Sequence, residues 1–61
     1  MKITIDTERE AIIVVDSFFK QIDKINDAIK MGGGTEITYT DYVKQQFEKA
    51  IQNPILRKAD L

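Results

Sequence analysis

Apolar residues recur at Ala11, Val15, Phe18, Ile22, Ile25 and Ile29, with spacings of four and three. That is the a/d register of a helical seam. Val14 lies beside the seam on one side, and Ile12 and Phe19 lie on the other. Together they form a stripe about 160° wide, broader than a minimal coiled-coil seam. Arg9, Asp16, Ser17, Lys20, Lys24 and Asp27 occupy the opposite face, with Asp16 and Lys20 as a favourable i,i+4 pair. The pattern predicts one long amphipathic helix over about residues 7–30. Thr7-Glu8-Arg9-Glu10 matches a capping box at its start, and Met31-Gly32-Gly33-Gly34 supplies a stop. Ile13 is the exception, because it falls among the polar positions.

A competing reading starts from the same residues. Ala11-Ile12-Ile13-Val14-Val15 is rich in β-branched side chains and can form a strand. Residues 7–10 would then be a hairpin loop, and the helix would start at Asp16 or Ser17. The capping box and the continuous register favour the helix.

Two shorter segments alternate with period two. Lys2-Ile3-Thr4-Ile5-Asp6 predicts a strand over residues 2–6, with Ile3 and Ile5 on one face. Thr35-Glu36-Ile37-Thr38-Tyr39 predicts another over residues 35–39. Thr40 and Asp41 are N-cap candidates for a second helix over about residues 41–52. Its stripe is Val43, Phe47, Ala50 and Ile51, and Asn53-Pro54 ends it. Residues 53–61 form a short tail in which Ile55 and Leu56 are expected to pack on the domain. The fold class is therefore α+β, a single small β-α-β-α domain over residues 1–61. Its expected core is Ile3, Ile5, Val15, Phe18, Phe19, Ile22, Ile25, Ile29, Ile37, Tyr39, Val43, Phe47 and Ile51.

Size turns this pattern into a functional expectation. A helix of residues 7–30 would be about 36 Å long, whereas a five-residue strand spans about 17 Å. Two such strands and one short helix cannot cover the whole stripe. A chain of 61 residues is also marginal alone, and with no cysteine it has no disulfide to help. Self-association resolves both difficulties. The expected interface is Val15, Phe18, Phe19, Ile22, Ile25, Ile29, Tyr39 and Tyr42, with a homodimer favoured. A heterologous protein partner is the other way to cover the face. A free-standing chain this small also suits a phage or mobile-element accessory protein that modulates a host protein.

Composition narrows the chemistry. There is no histidine and no cysteine, so the commonest general base, the best nucleophile and the usual transition-metal ligands are missing. Ser17, the one serine, has no evident base. Asp16, Asp23 and Asp27 share a face, but Lys20 and Lys24 interleave with them, which reads as a solvated mixed-charge surface. The glycine run follows a helix and has no Lys-Ser/Thr after it, so it is a turn and not a phosphate loop. No enzyme activity, cofactor or metal is expected. An N-terminal strand followed by helices is loosely similar to ribbon-helix-helix DNA-binding dimers, with Lys2, Thr4 and Asp6 facing bases. The formal charge of −1, the long helix and the second strand argue against that alternative. There is no secretory signal pattern and no apolar run of membrane-spanning length, so a cytoplasmic location is expected.

Overall fold

The computed structural model describes all 61 residues. The chain is a small α+β protein in which a β-hairpin precedes two helices. Strands β1 (Ile3–Asp6) and β2 (Ala11–Val14) pair antiparallel, with Ile3 opposite Val14 and Asp6 opposite Ala11. Helix α1 spans Phe18–Met31 and helix α2 spans Tyr39–Ile51, followed by a 3-10 turn at Lys58–Asp60.

The α+β class holds, and two of the expected elements change. The long helix over 7–30 loses nearly its N-terminal half, starting only at Phe18, and residues 11–14 are a strand, as in the competing reading. Asp6 is the reason. Its Oδ1 accepts from the backbone N–H of Glu8 and of Arg9, both at 3.0 Å, and its other oxygen pairs with the Arg9 guanidinium. The chain starts one turn there, as an N-cap would make it. Glu10 then adopts φ 51°, the left-handed conformation that ends a right-handed turn. The β-branched residues that follow continue as β2.

The expected strand over 35–39 is also absent. Residues 34–38 form no regular element, and Tyr39 opens α2. A ladder needs a neighbouring strand, and neither strand of the hairpin pairs with this segment. The segment is fastened to α1 instead. Asn26 donates from Nδ2 to the Ile37 carbonyl at 2.9 Å and accepts from the Ile37 N–H at 2.8 Å. The N-cap of α2 is Thr38, two and three residues before the expected candidates Thr40 and Asp41, and its hydroxyl accepts from the Asp41 N–H at 3.1 Å.

The end of α1 follows from its glycines. Gly33 lies at φ 79°, and the N–H groups of Gly33 and Gly34 reach the carbonyls of Lys30 and Ile29. This pair of bonds is a Schellman motif, which a left-handed glycine makes without strain. At Gly34 the constraint is space. A Cβ there would lie 2.8 Å from Ile29 Cγ2.

The core is small. Only Phe18 and Ile22 are fully buried, at 2% and 0% exposure. Ile3, Val14, Ile29, Ile37, Tyr42, Val43 and Phe47 are half-buried around them. Six residues expected in the core, Ile5, Val15, Phe19, Ile25, Tyr39 and Ile51, are exposed instead. The tail does not pack on the domain either, since Ile55, Leu56 and Leu61 all face solvent. The molecule is accordingly drawn out, 43 × 24 × 19 Å, with a radius of gyration of 14.0 Å. A compact chain of this length has about 10.5 Å.

Candidate interaction surface

The strand pairing sorts the hairpin into two faces. Cross-strand partners share a face, so Ile3, Ile5, Ile12 and Val14 form an apolar inner face. Thr4, Asp6, Ala11 and Ile13 form the outer one. Ile3 and Val14, at the helix-proximal end, are half-buried. Ile5 and Ile12, nearer the loop, overhang the helices and are exposed.

An aromatic cluster forms where the hairpin meets the two helix starts. Phe18 is its buried centre, with ring centroids 5.4 Å from Phe19, 6.1 Å from Tyr39 and 5.9 Å from Tyr42. Phe19 and Tyr39 pack edge to face at 5.0 Å, the arrangement favoured by aromatic quadrupoles. Tyr39 donates its hydroxyl to Asp23 Oδ1 at 2.7 Å. That bond to a carboxylate, with some desolvation, raises the Tyr39 pKa above its ordinary value. Beside the cluster lies an open cleft of about 200 Å³, lined by Ile12, Val14, Phe18, Phe19, Tyr39 and Val43 among others. On the other side of the hairpin, a second cleft of about 200 Å³ is walled by Met1, Ile3, Tyr42, Gln46, Phe47 and Ala50.

The eight residues of the expected interface are therefore divided. Phe18 and Ile22 are the internal core, and Ile29 and Tyr42 are half-buried. Val15, Phe19, Ile25 and Tyr39 remain exposed. The hairpin residues Ile5, Ile12 and Ile13 join them; the β-branched run over 11–15 was the signal for the strand, but with every position apolar it could not say which side chains face out. Nothing local in the sequence points to Asn26, because its partner lies eleven residues away.

The remaining candidates resolve into local structure. Ser17 Oγ accepts from the Gln21 amide at 3.0 Å, an intrahelical bond with no base beside it. Asp16, Asp23 and Asp27 do not converge, and no group of three potential metal ligands forms. The largest cleft, about 560 Å³, lies between residues 35–37 and α2 and is open and mostly polar. At its edge Lys30 pairs with Glu36 at 3.2 Å. No helix is long and apolar enough to cross a membrane. At the tip of the hairpin Arg9 is tied to Asp6.

No family model, curated protein or solved structure matches the chain. The physical surface itself carries the functional argument.

Proposed function

We propose that this chain is a non-enzymatic assembly module that completes its hydrophobic core by binding a second copy of itself. One observation carries the reading. The accessible surface is 5571 Å², against about 4,000 Å² for a compact protein of 7.0 kDa. The excess, about 1,500 Å², includes the solvated tail. It still exceeds the roughly 800 Å² that each partner contributes to a standard protein interface. Much of it is apolar, with Ile5, Ile12, Ile13, Val15, Phe19, Ile25 and Tyr39 all exposed on the folded region. Apolar exposure on this scale in a small domain is a mark of interaction surfaces.

The non-enzymatic part rests on composition: the chain has no histidine and no cysteine, the commonest general base and the best nucleophile. Sedimentation equilibrium over a hundredfold range of concentration is the test. A dimer or larger species is expected, and a monomer at every concentration would overturn the proposal. A second reading, docking on a different protein, is favoured by the aromatic shelf. Phe19 and Tyr39 are rigid, amphipathic residues of the kind enriched at binding hot spots, and the cleft beside them opens away from the β1 edge. Loss of a captured partner on Phe19→Asp, in a chain that still sediments as a dimer, would show that both surfaces are used.

A further inference from the structure

We infer that β1 pairs antiparallel with β1 of a second copy, in the register centred on Thr4, so that two hairpins become one four-stranded sheet. This rests on the self-association proposed above and specifies its geometry.

The hairpin is an isolated two-stranded sheet, so each strand has one edge of unpaired N–H and C=O groups. A two-stranded sheet is marginal in water, and additional strands over an apolar face stabilise it. The sequence of β1 is self-complementary about Thr4. Antiparallel pairing there sets Ile3 opposite Ile5 of the second copy, Thr4 opposite Thr4, and Lys2 opposite Asp6. Apolar residues meet apolar residues on the inner face, and opposite charges meet on the outer face, twice per dimer. Registers centred on Ile3 or Ile5 lose this match. The first sets Lys2 opposite Thr4, and the second sets Ile3 opposite Thr7.

The β2 edge has no equivalent solution. Centred on Ile13, it sets Ala11 opposite Val15 and Ile12 opposite Val14 of the second copy, with no opposite-charge pair to fix the register. Centred on Ile12, it sets Glu10 against Val14. Glu10 is also held at φ 51° and cannot extend the strand.

The β1 edge also borders a place for the most exposed isoleucine of the hairpin. Ile5 is 53% exposed. In the Thr4-centred register, Ile5 of the second copy lies beside Ile3, at the cleft formed by Met1, Ile3, Tyr42, Phe47 and Ala50. Each copy would thus cover the other's overhanging isoleucine and close its cleft. The aromatic shelf of Phe19 and Tyr39 borders β2, at the outer edge of the new sheet, and stays open.

The chain has no native cysteine, so single cysteines report the register directly. Across the two-fold axis the two Thr4 Cα atoms would lie about 4.5–5.5 Å apart, within disulfide reach. The two Ile13 positions would be three strand spacings apart, about 14 Å, and out of reach. Thr4→Cys is expected to give a disulfide-linked dimer under mild oxidation, and Ile13→Cys is not. A second variant, Lys2→Glu, replaces the attractive pair with a repulsive one. It is expected to raise the dimer dissociation constant about tenfold. If the wild type dimerises but Ile13→Cys crosslinks and Thr4→Cys does not, the β1 register is overturned while self-association stands. The same holds if Lys2→Glu leaves the dissociation constant unchanged. A wild type that stays monomeric overturns both.

Discussion

Asn26 uses both ends of its amide on one residue, Ile37. In this way a helix side chain replaces the partner strand that residues 35–39 lack. Both bonds are partly buried, so removing the amide leaves an N–H and a C=O with poor access to water. Asn26→Ala is expected to cost about 1–3 kcal/mol, read from urea unfolding. A loss below about 0.5 kcal/mol, the scatter of ordinary surface substitutions, would mean that packing of Ile37 holds the linker without the amide. Glu10 offers the opposite sign. It sits in the left-handed region, where a residue with a Cβ carries about 1–2 kcal/mol of strain, and its side chain makes no bond there. Glycine removes the strain but costs some unfolded-state entropy. Glu10→Gly is expected to stabilise by about 0.5–1 kcal/mol by the same measurement, and Glu10→Val to destabilise. Equal melting of all three chains would show that the turn relaxes to accommodate any residue.

The hairpin depends on a local electrostatic contact that titrates. Asp6 is held below the ordinary carboxylate pKa, chiefly by the backbone N–H of Arg9 and then by its guanidinium. A carboxyl with a lowered folded-state pKa stabilises the fold above its unfolded value, and that contribution is lost as pH falls through the folded value. The loop is therefore expected to loosen below the ordinary aspartate value of 3.8. Amide hydrogen exchange at Glu8 and Arg9 should accelerate there, after correction for intrinsic rates. Asp6→Asn should remove the acid-dependent step, and an unchanged step would place it on another carboxyl. The same residue explains which elements could be read from the sequence. Phe18, Ile22, Ile25 and Ile29 announced α1, and Val43 and Phe47 announced α2, because the helical period persists where polar residues separate apolar ones. Over residues 11–15 every position is apolar, so a helical and an extended period fit equally well. Ile13, misplaced on a helix, was the residue that spoke for the strand. The expected capping box of Thr7 and Glu10 does not form; Asp6 makes the capping bonds instead, and Glu10 ends the turn in the left-handed region. The expected 35–39 strand alternated correctly and lacked only a neighbour, which no local pattern reveals. For the candidate site, aromatic and apolar identities were legible, whereas their division into core and surface depended on how the hairpin overhangs the helices.

At the scale of the whole molecule, the balance between core and surface sets the behaviour. Two fully buried side chains contribute only a few kcal/mol of apolar burial at about 1.5–3 kcal/mol each. The half-buried ring around them adds less per residue. Ordering 61 residues opposes this with a much larger loss of conformational entropy. A chain in this position gains substantially from any partner that binds the folded form alone. When that partner is a second copy, folding and association are one linked equilibrium, and thermal stability depends on concentration. Each tenfold rise in concentration is worth about 1.4 kcal/mol per dimer, or about 0.7 per chain. With an unfolding entropy typical for this length, Tm is expected to rise about 5 °C per decade of concentration. Circular dichroism melts at a series of concentrations measure this directly. Lys2→Glu should shift the whole series downward, because it weakens association without touching Phe18 or Ile22. A wild-type Tm that does not change over two decades would mean that the monomer is stable as it stands, and that the exposed isoleucine of β1 does not serve self-association.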